Sequence, residues 1–178
     1  LIEIERGDRR RILTLKILAD KTQEVLSGAA IDVENASKEE LKATLLKSGC
    51  WPFIKQRPYD VIANPDTTPK AIFISGYSSA PLQADLNYVL QGKEKELQTA
   101  ITALGKLTPG KVHVSVGSSA SPLSSMKGVE LHNVSGPHPA GLVGTQINKV
   151  DPINKGELVW TVSPQDLIII GEYLLTGI

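Results

Sequence analysis

Cysteine is almost absent from this sequence, since Cys50 is the one cysteine among 178 residues. A lone cysteine excludes an internal disulfide framework, and it also excludes a metal or iron–sulfur site built only from the chain's own thiolates. Such sparing use of cysteine fits a reducing compartment. Aromatic residues make up only 4% of the chain, whereas hydrophobic residues reach 41%, which is enough to build a core.

Net charge and long hydrophobic runs are missing as well. Nineteen basic residues balance nineteen acidic residues, which argues against nucleic acid as a partner and against broad adhesion to anionic lipid. No uninterrupted apolar run approaches the ~20 residues that a membrane-spanning helix needs, and the start has no signal-peptide pattern. The length suits one α/β domain, with room for a fragment of a second.

The start of the chain has the pattern of a β-hairpin. Residues 1–5 and 12–18 alternate apolar and polar side chains on either side of a turn at residues 6–9. The turn contains Arg6-Gly7-Asp8, a tripeptide known from adhesion ligands, but an ordinary hairpin turn is the favoured interpretation. The chain opens at Leu1, directly in strand-like sequence, so we interpret it as a piece of a longer protein. We place a domain boundary in the polar passage at residues 22–31, which gives units at 1–26 and 27–178.

The middle of the chain predicts a parallel sheet. Residues 71–74 are a continuous apolar run, typical of a strand buried on both faces. Leu97, Ile101 and Leu104 mark an amphipathic helix over residues 93–106, and alternating valines mark a second strand over 111–116. A strand, a helix and a strand in succession form a βαβ crossover, so the two strands are expected to be parallel.

Further elements follow from capping signals and short apolar runs. Ser37 and Glu40 form a capping box that begins a helix, and Gly49 ends it. Ser163 begins a last helix, with Pro164 at its first position. Short strands are expected at residues 129–134 and 159–162, and an irregular aromatic stretch is expected at 51–59.

The most informative segment is residues 135–145, where three glycines and two prolines surround a histidine. Glycine opens backbone conformations closed to other residues, and each proline fixes φ and removes an N–H donor. The segment is therefore predicted to be a loop of defined shape throughout. His138, held between Pro137 and Pro139, is presented either for a structural reason or for contact with a ligand or partner.

Other candidate sites are weak. Gly117-Ser118-Ser119 follows a strand, where backbone N–H groups can cradle a phosphate, but an ordinary loop is favoured. His113, His132 and His138 are not at metal-ligand spacings, so no metal site is expected; His113 is interpreted as a sheet residue. Cys50 lies past a helix C-terminus, where the dipole disfavours a thiolate, so a buried structural thiol is expected.

Several of these segments together give the chain a family resemblance. It resembles the A-subunit family of the sodium-translocating NADH:quinone oxidoreductases, which are bacterial respiratory complexes. The resemblance covers nearly the whole chain in order and is densest in the glycine–proline segment. The residues that carry it are Ser48-Gly49-Cys50-Trp51, Arg57-Pro58-Tyr59, Pro69-Lys70-Ala71-Ile72-Phe73-Ile74, Gly110-Lys111-Val112-His113, residues 136–145, Trp160, Gln165-Asp166 and Gly171.

The resemblance implies a fold. It implies an α/β domain over residues 27–178 with a Rossmann-like, mostly parallel sheet flanked by helices. It also implies that the hairpin within residues 1–26 is left over from a biotinyl/lipoyl-like barrel sandwich. The family is related to electron-input subunits of the Rnf complex and to the flavoprotein subunit of respiratory complex I.

The chain departs from its flavin-binding relatives in the residues that would hold a cofactor. Those relatives have a glycine-rich flavin loop and an acidic residue just after the strand that corresponds to residues 71–74. Here the sequence reads Ser75-Gly76-Tyr77-Ser78 and continues without a carboxylate. The resemblance with this departure implies a peripheral subunit without its own redox cofactor, with NADH, flavins and iron–sulfur centres on other subunits.

The implied function is a part in a complex that couples quinone reduction by NADH to Na⁺ export. The fragment itself is not expected to be catalytic. Its expected partners are the other subunits, above all the adjacent membrane-embedded one, at the cytoplasmic side of the bacterial inner membrane. His138, Pro139, Gly141 and Gly144 are the candidates for contact with a quinone headgroup or with that partner. The alternatives are a stand-alone flavin- or nucleotide-dependent oxidoreductase and a purely structural adaptor.

Overall fold

A computed structural model describes residues 1–22, 25–26, 28–117 and 120–178. The chain begins with the predicted hairpin, in which β1 (Glu3–Arg6) pairs antiparallel with β2 (Ile12–Lys16). Every residue of both strands is exposed. The hairpin forms a two-stranded sheet of its own, separate from the main sheet.

The first helix, α1 (Lys38–Ser48), confirms the capping signals. The Ser37 hydroxyl accepts a hydrogen bond from the N–H of Glu40 at 3.2 Å. Gly49 ends the helix with φ at 80°, in the left-handed region where glycine is favoured. Leu41 and Leu45 are fully buried and anchor the helix on the core.

The aromatic stretch at residues 51–59 is more regular than expected, and that prediction was wrong in part. Trp51–Phe53 is a 3-10 turn, and β3 (Lys55–Arg57) follows it, with β4 (Val61–Ile62) beside it. β3 pairs antiparallel with β8 (Val159–Val162), which lies far along the sequence. Strand formation here depends on that distant partner, because strand propensity is set largely by neighbouring strands.

The βαβ unit is present as predicted. It comprises β5 (Ile72–Gly76), α2 (Leu86–Leu90), α3 (Glu94–Leu107) and β6 (Val112–Val116). β5 and β6 are parallel, with Phe73 opposite His113. Leu97, Ile101 and Leu104 are buried on one face of α3.

The remaining elements are β7 (Glu130–Asn133), α4 (Val143–Val150), β8 and α5 (Pro164–Thr176). The expectation of a loop throughout residues 135–145 was wrong at its end, because α4 begins at Val143. The last proline of the segment is Pro139, so every residue of α4 can donate its N–H. Ile147 is buried and anchors α4 to the sheet.

The main sheet has six strands in the order β4-β3-β8-β5-β6-β7. β8, β5, β6 and β7 are parallel to one another, and β3 is antiparallel to β8. The expected mixed α/β fold with a mostly parallel sheet is confirmed. The larger core lies between one face of the sheet and α1, α3 and α5, and the smaller core joins Phe73 and Val159 of the other face to Ile147 of α4.

Candidate functional site at the carboxyl ends of the parallel strands

The chain reverses its direction of travel across the sheet between β5 and β8. It passes from β5 to β6 and β7 on one side, then returns to place β8 on the other side of β5. In open α/β sheets, ligands bind in the crevice outside the carboxyl ends of the strands at such a switch point. A cavity of about 310 Å³ lies at this position and is called the switch crevice here.

The switch crevice combines an apolar lining with a polar edge. Ser75 and Thr161 contribute polar groups from the ends of β5 and β8, and Ser163 and Asp166 contribute them from the start of α5. Its apolar side chains are Phe53, Leu86, Leu142, Val143, Val162 and Pro164. A volume at the lower end of the roughly 300–1,000 Å³ typical of small-molecule sites suits a compact, mainly apolar ligand.

The glycine–proline segment is attached to the loop that follows β5. The Tyr77 hydroxyl donates to the carbonyl oxygen of Gly136 at 2.8 Å. The N–H of Gly141 donates to the Ser79 hydroxyl oxygen at 2.9 Å, and that oxygen also lies 3.3 Å from Nδ1 of His138. These contacts give the segment the defined shape that its composition predicts.

Position 141 must be glycine because the backbone of the loop after β5 approaches it closely. A β-carbon at this position would overlap the amide nitrogen of Ser79 and would lie 2.7 Å from the carbonyl carbon of Ser78. Such distances are well inside van der Waals contact, so the two loops can meet only where position 141 has no side chain. Gly144, by contrast, has open space around the position of a β-carbon.

The four sequence-predicted contact residues do not converge on one point. Gly141 lines the switch crevice. Gly144 lines a separate cavity of about 220 Å³ together with Arg57 and Ile147. His138 and Pro139 are exposed, with His138 held at the outer edge by Ser79.

The beginnings of two helices face the switch crevice. The Ser163 hydroxyl accepts from the N–H of Asp166 at 3.2 Å, which satisfies one donor at the start of α5. α4 begins at Val143 without a side-chain cap at Leu142. The first N–H groups of a helix have no partner within the helix. In α4 the N–H of Thr145 donates to the carbonyl oxygen of Leu142 at 3.0 Å, so Val143 and Gly144 supply the backbone donors that remain at this end.

The suggested phosphate loop after β6 is partly occupied by an aromatic ring. Ser118 and Ser119 lie outside the described residues. A β-carbon at Gly117 would overlap Cδ2 of Tyr77 and would lie 3.1 Å from Cε2 of the same ring. The ring therefore stands against the backbone of Gly117, on the side that a phosphate would approach.

A second cluster, which sequence reasoning missed, lies between β6 and β7. Nδ1 of His113 is 3.0 Å from Nε2 of His132 and 3.4 Å from Oε2 of Glu130. Glu130 also forms an ion pair with Lys111. Burial lowers the pKa of His113, and the neighbouring His132 lowers it further.

The signal for this cluster was present in the alternation of β7. Glu130 and His132 are two residues apart, so both side chains point to the same face of a strand. Their convergence on His113 requires the register in which His113 lies opposite Glu130. Spacing rules for metal ligands on a single segment do not detect a site shared by two paired strands.

Comparisons with known proteins agree with one another. The family model described as "NqrA second alpha/beta domain" matches residues 36–178. The A subunits of Na(+)-translocating NADH-quinone reductases are similar over almost the whole chain: that of Neisseria meningitidis serogroup B (strain MC58) is 33% identical over 98% of the chain, and that of Tolumonas auensis is 34% identical over 98%. The chain spans about 40% of the length of these relatives.

Within the described ranges, no helix is long and apolar enough to cross a membrane.

Proposed function

The chain belongs to the family of the NqrA second alpha/beta domain, and from this membership we propose that it is part of the NqrA subunit of a sodium-translocating NADH:quinone oxidoreductase. In that complex the reduction of quinone by NADH is coupled to Na⁺ export. The similarity over 98% of the chain to proteins with this name carries the proposal. The chain acts as a peripheral part on the cytoplasmic side of the bacterial inner membrane.

We infer that this part of the protein holds no redox cofactor of its own. The ring of Tyr77 lies against Gly117, and the segment Ser75-Gly76-Tyr77-Ser78 at the end of β5 has no carboxylate. Cys50, the one cysteine, is buried. NADH, flavins and iron–sulfur centres then belong to other subunits, and the purified chain is expected to lack the flavin absorbance band at about 450 nm. A yellow preparation with that band would favour a stand-alone flavoprotein instead.

We propose that the switch crevice accepts the headgroup of a quinone. A quinone is a flat apolar ring with two carbonyl oxygens, each of which needs a donor when it is buried. The crevice has apolar walls from Phe53, Leu142 and Val162. The uncapped start of α4 supplies N–H donors beside these walls.

The exposed rim of the same segment is the proposed docking contact. His138 and Pro139 are exposed, and the contacts of Ser79 and Tyr77 hold their loop in a defined shape. A shaped and exposed loop is the usual form of a recognition element. The partner we propose is the adjacent membrane-embedded subunit of the complex.

Residues 1–26, which contain the hairpin of β1 and β2, are proposed to belong to a preceding barrel-sandwich domain. The apolar side chains of the hairpin are exposed; Leu13 and Leu15 are 59% and 53% accessible. A two-stranded hairpin is only marginally stable in water by itself. Further chain of the longer protein is expected to cover these side chains, as one hairpin of a closed barrel.

Photoaffinity labelling of the whole complex with a quinone analogue tests the crevice. Labels are expected on residues 75–78, 141–143 and 161–165, and excess unlabelled quinone should compete with them. Leu142→Arg, which places a charge at the edge of the crevice, should strongly reduce this labelling. Leu46→Arg is the matched control, because Leu46 on α1 is similarly exposed, at 44% against 49% for Leu142.

The outcomes separate the proposals. Labels that fall only on other subunits would leave the chain as a structural adaptor and would remove the quinone role. Labelling of these segments that is unchanged by Leu142→Arg would place the quinone elsewhere on the same face. Loss of the complex on native gels in His138→Ala, with intact folding of the variant chain, would support the docking contact.

A further inference from the structure

The cluster between β6 and β7 brings together three side chains with metal-ligating atoms. One ligand atom from each of His113, His132 and Glu130 lies within 4.8 Å of the other two. They come from two paired strands rather than from one flexible loop. Backbone hydrogen bonds of the sheet therefore hold the three positions in place.

The position of the cluster on the sheet leaves it open on one side. α4 covers Phe73 and Val159 on β5 and β8, and the cluster occupies the same face at the opposite edge. The ring of His113 stacks on Phe73, with ring centroids 4.7 Å apart. The His113 side chain is only 6% exposed, whereas that of Glu130 is 40% exposed, so an ion can enter from the side of Glu130.

Two of the three ligand separations match those around a small divalent ion, and the third is at most 4.8 Å. Two ligands bonded to tetrahedral Zn²⁺ at about 2.0–2.1 Å stand about 3.3 Å apart. Nδ1 of His113 lies 3.0 Å from Nε2 of His132 and 3.4 Å from Oε2 of Glu130. Two imidazole nitrogens at 3.0 Å can share only one proton, and an ion placed between them would satisfy both lone pairs.

Glu130 divides its two oxygens between two partners. Oε1 pairs with Lys111, and Oε2 faces His113. The lysine orients the carboxylate and leaves one oxygen for an ion, as outer partners of metal ligands commonly do. Asp151, a further carboxylate that acts on His113, is bound to Lys70 at 2.6 Å and is not free to ligate.

We propose that His113, Glu130 and His132 form a binding site for a divalent transition-metal ion, with Zn²⁺ as the ion that the ligand set fits best. Two imidazoles and one carboxylate are a common zinc ligand set, in which water completes the coordination. The bound ion links the edge strand β7 to β6. The site is distinct from the switch crevice, and it does not depend on the proposed role in quinone reduction.

Titration of the purified, chelator-treated chain with ZnCl₂ in a calorimeter tests the site. We expect one Zn²⁺ per chain with micromolar or tighter affinity, and a rise in melting temperature with Zn²⁺ because the ion binds the folded chain. In nitrogen-detected NMR, the side-chain resonances of His113 and His132 should shift, and those of His138 should not. Absence of stoichiometric binding would overturn the proposal.

Variants at the half-exposed ligands avoid disturbing the core around His113. His132→Ala and Glu130→Gln should each weaken Zn²⁺ binding by at least about tenfold, with unchanged circular dichroism. His138→Ala is the matched control, because it removes a histidine that lies outside the cluster, and it should bind as the unmodified chain does. Unchanged affinity in His132→Ala, or equal weakening in His138→Ala, would assign the binding to the surface at large and refute the site.

Discussion

The main chains of Gly171 and Glu96 touch where α5 crosses α3. A β-carbon at Gly171 would overlap the carbonyl oxygen of Glu96 and would lie 2.6 Å from its carbonyl carbon. The atoms of Glu96 in this contact belong to the backbone of a helix, so they cannot rotate away as a side chain could. Position 171 therefore sets how closely the two helices pack over the larger core.

Gly171→Ala is expected to destabilise the chain by about 1–3 kcal/mol, because overpacking forces the helices apart. The matched control is Gly105→Ala on α3, where a β-carbon would meet only Val112, at 3.9 Å. That change should stabilise the chain by about 0.5–1 kcal/mol, since alanine is the better helix former. Urea unfolding of both variants gives the comparison, and equal effects would contradict it.

A second pair of glycines tests the loop beside the switch crevice. Gly141→Ala should cost about 1–3 kcal/mol, because the β-carbon would separate the two loops and break the hydrogen bond from Gly141 to Ser79. Gly144→Ala should be neutral or slightly stabilising, because its β-carbon points into open space near the start of α4. Thermal unfolding measures both changes. Equal stability of the two variants would refute the close approach.

The ion pairs of Lys70 give a pH prediction. Nζ of Lys70 lies 2.6 Å from Asp151 and 3.0 Å from Glu157. The pKa of Glu157 is lowered first by the N–H of Asn154 and then by Lys70. The pKa of Glu157 is lower in the folded chain than in the unfolded chain, so the ionised carboxylate stabilises the fold at pH values above the unfolded pKa. This contribution is lost as the pH falls from about 4.5 through the folded pKa.

Lys70→Met should raise the pKa of Glu157, but it should leave that pKa below the ordinary value because the N–H of Asn154 remains. Carboxyl-carbon NMR titration of Glu157 measures the shift. Lys149→Met, at an exposed lysine of α4, should leave the titration unchanged. A Glu157 titration that is identical in Lys70→Met and in the unmodified chain would show that the ion pair does not act in solution.

The exposed hairpin makes a prediction about the longer protein. Leu15→Asp should hardly change the melting temperature of the 178-residue chain, because Leu15 is 53% exposed there. In the full-length protein the same change should destabilise the preceding domain by several degrees, since it would bury a charge. Thr14→Asp, on the other face of the strand, is the control. If Leu15→Asp changes the melting temperature equally in the two proteins, the proposed barrel-sandwich origin is contradicted.

The sequence indicated the elements whose signals are local. The capping residues Ser37 and Ser163 marked helix starts, the valines of β6 marked a strand, and the βαβ order predicted parallel pairing. Residues 55–57 and 143–150 were missed as a strand and a helix. β3 depends on pairing with β8, and α4 depends on burying Ile147 against the sheet; neither contact can be read from neighbouring residues.

The candidate sites show the same division. The glycines and prolines of residues 135–145 are sufficient to predict a shaped loop, because they restrict the backbone of their own segment. Tertiary structure alone decided that Gly141 faces the switch crevice, that His138 stays on the rim, and that His113 meets His132 and Glu130. Those relationships arise from strand order and register, which bring together residues that are distant in the chain.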